Sequence, residues 1–475
     1  MYTILKTDQY KFAMAEAGWP LQEETFYYTH RKGGPHYLPV NVKDYIKNLF
    51  KNWRQDPELI RKIIKETSGL NVGDWMNYIA NLIDPFSLLK IRTIPQGSWF
   101  VNQAPAFTVT GPSFLVSWLE PQILRLNFEI QAATLSQLDS QKFANEFKTV
   151  STHDEKAIVM KHRPLSLIKE KWEPEVDTVN YWNGVRERAA NLLKAVDGDS
   201  SRIFEVGMRA ARTESQHQMA LLGCREAGLN LTSNTFAAAL LSSTPREKKD
   251  LRAIGTMGHE HVQRFFTDEF AFRSMANRLS GSVFCLVDTH DAMKIGIPEA
   301  IRLMKEQPDR NHAMRFDSGD IETQFKKAAS LNPKGRFCLE DGWNLEKTKK
   351  FETIRKELKL EPWQVLYGFG GYLVNKSDGC SITRDEVAAV WKMAMTDGEP
   401  TMKLSEAGKQ STPGEFTLWY DPKSGHQHVY QTGEKVSNGL INAYSGPPMK
   451  IPSAGACLWN SPQTDQLIIE IKGDR

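Results

Sequence analysis

The stretch Val283-Phe-Cys-Leu-Val-Asp-Thr-His-Asp291 sets five apolar residues in a row directly before two carboxylates and a histidine. A run that is apolar at every position, rather than at alternate ones, reads as a strand buried on both faces. Further on, Pro298 and Glu299 mark the first turn of a helix, where a missing N–H is harmless and an acid meets the positive end of the helix dipole. The unit is therefore strand, acid-bearing turn, helix. It recurs. His312 to Phe316 leads into a helix with Ile321, Phe325 and Ala328 on one face, and Arg336 to Leu339 into a helix that Asn344 N-caps and that runs through Leu358. Gln364 to Tyr367 runs into Gly368-Phe-Gly370-Gly371, and upstream Arg202-Ile-Phe-Glu-Val precedes a long helix through Cys224. Repeated units of this kind require parallel strands, and ligands of parallel sheets bind at the carboxyl ends of the strands. Asp288, Asp317, Glu340, Asp341 and Gly370 all fall there. The expected architecture is α/β, a closed or incomplete barrel.

At 475 residues the chain exceeds what one core organises. Residues 1–137 mix a helical opening, the β-rich Glu24-Thr-Phe-Tyr-Tyr-Thr and alternating segments near 91–111 that read as paired strands; from Phe114 to Ala133 the spacing turns helical. Residues 138–199 read as a polar insertion with connecting helices, 200–390 as the barrel, and 391–475 as a small C-terminal lobe that folds back on the N-terminal domain. Lys+Arg 60 against Asp+Glu 57 gives no long-range pull toward nucleic acid or an anionic membrane. No segment approaches a membrane span, and Met1 to Trp19 lacks the apolar core of a signal peptide. Five scattered cysteines (Cys224, Cys285, Cys338, Cys380, Cys457) never form a CxxC pair, so a reducing cytoplasm is expected.

Three stretches carry the chemistry: Gly255-Thr-Met-Gly-His259, Leu286-Val-Asp288-Thr-His-Asp291 and Arg315-Phe-Asp317-Ser-Gly-Asp320. A histidine in a glycine-bearing turn, with Asp288 or Asp291 to hold its ring, suits a nucleophile, base or phosphate carrier near neutrality. Asp317 and Asp320 can grip sugar hydroxyls or a magnesium ion, while Gly319 and the next helix's amides, with Arg315, suit a phosphate. Glu340-Asp341-Gly342 repeats the acids one strand later, and Gly370-Gly371 lets backbone approach an anion. Each is also an ordinary turn. Gly370 to Ser377 lacks the second glycine of a Walker loop, and Leu373 occupies the third glycine position of a dinucleotide fingerprint, so both nucleotide-loop readings are discarded.

Taken together with Thr7-Asp8-Gln-Tyr10-Lys, Phe26-Tyr-Tyr-Thr-His-Arg31-Lys32, Gly111-Pro112 with Leu119-Glu120, Val206-Gly207-Met-Arg209, Thr232-Ser233-Asn234 and Met402-Lys-Leu-Ser-Glu with Thr412-Pro-Gly, these motifs run through nearly the whole chain. In this order they resemble the nicotinate phosphoribosyltransferase family. The resemblance implies the irregular α/β barrel of type II phosphoribosyltransferases with an N-terminal α/β sandwich domain. It implies transfer of phosphoribose from phosphoribosyl pyrophosphate to nicotinate, with ATP as co-substrate coupled through a phosphohistidine at His259, oriented by Asp288. Tyr10, Arg209, Thr232 and Ser233 are then expected at nicotinate. Arg31, Lys32, Arg315, Asp317, Gly319, Asp320, Glu340, Asp341, Gly370, Gly371 and Arg384 are expected at phosphoribosyl pyrophosphate or ATP. Mg²⁺ is expected on the phosphates, with Glu340 or Asp341 as its protein carboxylate. A cytoplasmic homodimer with shared sites follows, Tyr10, Arg31 and Lys32 matching positions that a neighbouring protomer contributes.

The nicotinamide-using relatives are the alternative. They carry an aspartate at the position of Ser233, an acid that would repel nicotinate's carboxylate, so serine favours nicotinate. Glu340-Asp341-Gly342 and Thr383-Arg384-Asp385 lean the other way, and Val206 and Leu231 depart from the aromatic and the glycine of both groups. A barrel glycosidase would need two acids roughly 5–10 Å apart in an open aromatic cleft, whereas the glycine turns and Arg315 favour an anion. A non-catalytic binding protein would be expected to have lost His259, Asp317 or Arg209, and all three are present.

Overall fold

The computed structural model describes residues 2–242, 251–375, 382–404, 409–452, 457–459 and 461–473. Seven strands form one parallel sheet: β1 (Ile203–Glu205), β2 (Leu231–Thr232), β3 (Arg252–Ala253), β4 (Phe284–Leu286), β5 (Ala313–Phe316), β6 (Arg336–Leu339) and β7 (Val365–Phe369). Their order is β3-β2-β1-β7-β6-β5-β4. The sheet curls until side chains of all seven strands line one cavity, yet β3 and β4 at its two ends do not pair. This is the incomplete α/β barrel expected from the sequence. β4 to β7 and β1 are the apolar runs read from the sequence. β2 and β3 have two residues each, too few for any periodicity to register.

A second sheet is antiparallel and takes Lys90–Thr93, Phe107–Pro112, Glu23–His30, Ala389–Thr396 and Glu399–Pro400 in that spatial order. Ala389–Thr396 follows the barrel in sequence but pairs with Glu23–His30, Glu24 opposite Thr396 and His30 opposite Ala389. The chain thus leaves the N-terminal domain, builds the barrel and returns. Helix Glu120–Leu138 is buried along most of its length, and beneath it Phe50, Trp53 and Trp118 pack ring against ring at 4.9–5.3 Å. A hairpin of Phe416–Tyr420 and Gln427–Gln431 extends the same core through Phe416, Leu418 and Val429. Between the domains, residues 138–185 carry short helices around Phe143, Phe147, Val150 and Val159, which pack on Phe128. One buried ion pair, Arg264 Nε to Glu24 Oε1 at 2.5 Å, ties the barrel side to the central N-terminal strand. Among the described residues no helix is long and apolar enough to cross a membrane.

Candidate active site

The turns after the strands deliver the groups singled out in the sequence. β3 is followed by Gly255 to His259, β4 by Asp288 and Thr289, β5 by Asp317 to Asp320, β6 by Glu340 and Asp341, and β7 by Gly370 and Gly371. β1 leads to Arg209 and β2 to Ser233. Parallel strands make this convergence automatic, because every such turn lies at the same end of the sheet.

His259 opens helix His259–Arg264 and is nearly buried. Its Nδ1 lies 3.0 Å from Thr289 Oγ1, and its Nε2 lies 2.8 Å from Lys403 Nζ, 3.3 Å from Asp317 Oδ2 and 3.9 Å from Asp288 Oδ2. An ammonium can only donate, so Nε2 accepts from Lys403 and the ring is neutral with its proton on Nδ1, directed at Thr289. Burial, with the Lys403 charge second, outweighs the two aspartates and pushes the His259 pKa down to about 4. Lys403 Nζ also donates to Asp288 Oδ2 at 2.9 Å and to Ser318 Oγ at 3.1 Å, and its side chain is 2% exposed. Burial alone would raise the Asp288 carboxyl; Lys403 and His259 bring it below its usual range, helped by a hydrogen bond from Ser318. The expected His259–Asp288 pair is therefore bridged by a cation. Lys403 belongs to one of the motifs behind the resemblance, but nothing local connects it to a turn 144 residues earlier.

Asp317 sits well below the ordinary carboxylate range, the adjoining His259 ring and the charges of Arg315 and Lys403 together outweighing its burial. Gly319 has φ +81°, a left-handed backbone conformation that favours glycine. Arg315 turns inward, donating from Nη1 to Met257 O at 2.6 Å with Nε 3.1 Å from Glu340 Oε1. Burial raises the Glu340 pKa despite Arg315. Asp320 faces solvent and caps helix Ile321–Leu331, accepting from Thr323 N at 3.1 Å. Asp341 stands at φ +73° with Oδ1 2.6 Å from Lys409 Nζ, and Lys409 also reaches Asp317 O at 3.3 Å. Arg31 donates to Lys409 O at 3.0 Å, and its N–H bonds Val387 O at the end of the short helix that Arg384 begins. Arg384 pairs with Asp385 at 3.2 Å, and Lys32 is exposed. Arg31, Arg384 and Lys409 so form a basic rim beside Asp317 and Asp341. A side chain on Gly371 would meet Asn375 Nδ2 at 2.6 Å and Asp385 Oδ2 at 3.2 Å, so those two side chains pack directly against the bare backbone there. Residues 376 and 377 of the discarded Walker reading, Cys380, and Ser405 and Glu406 lie outside the described residues.

A cavity of about 670 Å³ runs from these turns into the barrel, lined at its site end by Asp8, Tyr10, Arg209, Ser233, Arg315 and Glu340. The Tyr10 ring packs on the backbone turn, 3.2 Å from where a side chain on Gly258 would stand, and its hydroxyl donates to Glu120 Oε2 at 3.0 Å. In this arrangement Tyr10 lies in the cavity of its own chain. Arg209 pairs with Glu120 at 3.2 Å, and Lys11 with Glu120 at 2.5 Å and Glu260 at 2.7 Å. Ser233 Oγ donates to Asp8 Oδ1 at 2.5 Å. Thr232 points away from the cavity, giving its hydroxyl to Glu205 Oε2 at 2.7 Å. Glu205 also accepts from Gly207 N at 2.5 Å and from His217 Nε2 at 2.9 Å. Asn234 Oδ1 accepts from Ala237 N, so Nδ2 donates to His217 Nδ1 at 3.0 Å and the Nε2 proton is left for Glu205. This buried relay clamps together the segments bearing Arg209 and Ser233. Asp8, Lys11, Glu120, Glu260, Glu205 and Lys403 were not among the sequence-expected site residues. Asp8, Lys11, Glu120 and Lys403 stand inside matched motifs, which was the only signal available. Among the described residues no three His, Cys, Asp or Glu side chains are grouped to hold a metal.

The curled parallel sheet joined to an antiparallel N-terminal domain is the fold of type II phosphoribosyltransferases. It superposes on a crystal structure from Saccharomyces cerevisiae described as a nicotinate phosphoribosyltransferase with a TM-score of 0.61 at 18% identity, covering 86% of this chain and 95% of that one. The Bacillus subtilis nicotinate phosphoribosyltransferase is 31% identical over 252 residues, 50% of this chain and 47% of the relative. Nicotinate phosphoribosyltransferase 2 of Arabidopsis thaliana is 22% identical over 480 aligned positions, 86% of this chain and 72% of the relative. The chain thus spans about half the length of the Bacillus relative it matches. No protein-family model matches it. On these likenesses the chain shares its fold with solved nicotinate phosphoribosyltransferases and is similar in sequence to curated proteins of that name.

Proposed function

We propose that the protein joins nicotinate to phosphoribosyl pyrophosphate, giving nicotinate mononucleotide and pyrophosphate, with ATP hydrolysis coupled through phosphorylation of His259. One observation carries the reading. A neutral histidine whose Nε2 accepts from Lys403 stands between two aspartates, in the same ring of turns as a basic rim and a cavity ending in Tyr10 and Arg209. For phosphorylation, Lys403 leaves the Nε2 lone pair for the incoming phosphoryl oxygens, the lone pair attacks phosphorus, and the bond to the ADP oxygen breaks.

In the transfer step, the C1–pyrophosphate bond breaks, positive charge builds on the ribose ring, and negative charge builds on the leaving group. Asp317, ionised at neutral pH, faces the ribose; Arg31, Arg384 and Lys409 face the phosphates. One aimed charge-stabilising donor of this kind lowers the barrier by about 3 kcal/mol. Arg209 leaves Glu120 to meet the nicotinate carboxylate, and Tyr10 covers the ring. Mg²⁺ would supply charge neutralisation to the pyrophosphate, and Asp341, the more exposed of the two candidate acids, would hold it more readily than Glu340, which Arg315 occupies. A cytoplasmic homodimer is part of the proposal, and the buried free thiols Cys224, Cys285, Cys338 and Cys457 suit a reducing compartment.

The test is mononucleotide formation from phosphoribosyl pyrophosphate and Mg²⁺ with nicotinate or nicotinamide, with and without ATP. Product from nicotinate, stimulated by ATP, is expected. No product from either base would refute the assignment, and a preference for nicotinamide would overturn the choice of base. His259→Ala is expected to abolish ATP stimulation while leaving some basal transfer; intact stimulation in that variant would remove the phosphohistidine.

A further inference from the structure

The base end of the cavity holds a carboxylate, Asp8, that among the described residues has no cation at ion-pair distance. Asp8 is 3% exposed and lines the cavity beside Tyr10, Arg209 and Ser233. Its backbone is fixed by a bridge to Asn234, and the next residue donates from Gln9 N to Ser233 O at 2.6 Å, so the side chain is held at this place. The only side-chain donor reaching the carboxylate, among the described residues, is Ser233 Oγ at Oδ1.

The nearest charges are already paired, and the buried Arg125, which donates to Gln122, acts on Asp8 only through space. Lys11 is shared by Glu120 and Glu260, Glu260 also accepts from Ser117, and Arg209 is bound to Glu120. At contact distance three acids, Asp8, Glu120 and Glu260, therefore share two cations, Lys11 and Arg209, while Arg125 and Lys392 act from further off. A pyridine carboxylate drawn to Arg209 would add a further anion beside the buried carboxylates of Asp8 and Glu120, where like charges repel more strongly than in water. A pyridine carboxamide adds no charge, and its N–H groups can donate to an ionised acid.

We infer that Asp8 selects the base by its proton: it takes one up when a pyridine carboxylate binds and stays ionised when a carboxamide binds. This rests on the proposed reaction and deepens it, because the base pocket of this chain keeps a carboxylate although its second turn presents serine. Asp8 is also the member of the cluster poised to change charge near neutrality. Burial, aided by Glu120, pushes its pKa up to about 6 against the hydrogen bond from Ser233 and the charges of Arg209 and Lys11. Glu120 moves the other way, held down by Lys11 and Arg209 against its burial, and the Tyr10 hydroxyl is pushed up by burial and stays protonated.

The test is kcat/KM for nicotinate and for nicotinamide across the pH range on either side of the Asp8 break, in the wild-type protein and in Asp8→Asn. Asparagine keeps the shape and can still accept from Ser233. In the wild type, nicotinate use is expected to fall about tenfold per pH unit above the break while nicotinamide use does not. In Asp8→Asn the nicotinate slope is expected to vanish and nicotinamide use to drop by about tenfold or more, the loss of one hydrogen bond to a charged group. Calorimetry of nicotinate binding to the wild type in two buffers of different ionisation enthalpy is expected to show uptake of one proton, which needs no variant to fold. The same slope in Asp8→Asn as in the wild type, or no proton uptake, overturns the inference while the reaction itself stands. Failure of the wild type to make mononucleotide from either base sinks both.

Discussion

Lys403 and His259 give the site its most exacting residue-scale arrangement. The ammonium donates into the histidine lone pair and into Asp288, so each group's charge depends on the other two. Burial and then Lys403 depress the His259 pKa to about 4, which keeps Nε2 unprotonated at all working pH values. Lys403→Met removes the second of those causes. The histidine pKa then rises toward its ordinary value of about 6.5. The acid limb of phosphoenzyme formation is expected to move to higher pH in that variant, measured by phosphate incorporation from labelled ATP across a pH series. An unmoved limb would show that Lys403 does not govern the histidine. The sequence named the histidine from its glycine-bearing turn and both aspartates from the readable strands before them. It could not place the lysine, which arrives from the return segment after the barrel.

At the scale of elements, the close approach of neighbouring turns sets the geometry. A Cβ on Gly207 would come within 2.3 Å of Val374 Cγ2, 2.7 Å of Glu205 Oε1 and 2.9 Å of Gly370 O. The turns after β1 and β7 touch there with nothing to spare, and Glu205 fills the third side. Gly207→Ala is expected to destabilise by about 1–3 kcal/mol, as overpacking does. It should also raise KM for the base, because Arg209 rides on the displaced segment. Denaturant unfolding and steady-state kinetics on the same preparation check both, and wild-type values for either would show that the turns can separate freely. The four-residue and longer strands of this sheet were legible as apolar runs; β2, which carries Ser233, has two residues and gains its place only by pairing with β1 at Glu205 and Thr232.

For the molecule as a whole, buried histidines set the response to acid. Burial leads the causes that lower the pKa of His30 well below its usual range, of His36, His259 and His312 to about 4, and of His261 to about 3. In the unfolded chain each binds a proton below about pH 6.5. As pH falls through that value the unfolded state takes up protons that the folded state refuses, so stability is lost by up to about 1.4 kcal/mol per pH unit for each histidine. Asp8, Glu24, Glu299 and Glu340, whose burial raises their pKa values, act in the opposite direction but mainly at lower pH. Thermal midpoints are therefore expected to fall steadily from about pH 7.5 to about pH 5.5. A flat profile over that range would mean that these histidines charge within the folded protein.

The sequence by itself determined the barrel, its long strands and the ring of acids and glycines at their ends, because apolar runs and turn residues are local signals. It also marked Tyr10, Arg209, Ser233 and His259 through motifs spread along the chain. The tertiary structure alone decided how those groups are charged and paired: that Lys403 stands between His259 and Asp288, that Arg315 is held by Glu340, that Asp320 caps a helix, and that Ser233 donates a hydrogen bond to Asp8. Each of these partners is fixed by burial and by contacts between distant segments. Ala389–Thr396, for example, returns from the barrel to pair with Glu23–His30 in the N-terminal sheet. Charge state depends on how much water is excluded and which ions stand within a few ångströms, and neither is written in any one stretch of chain.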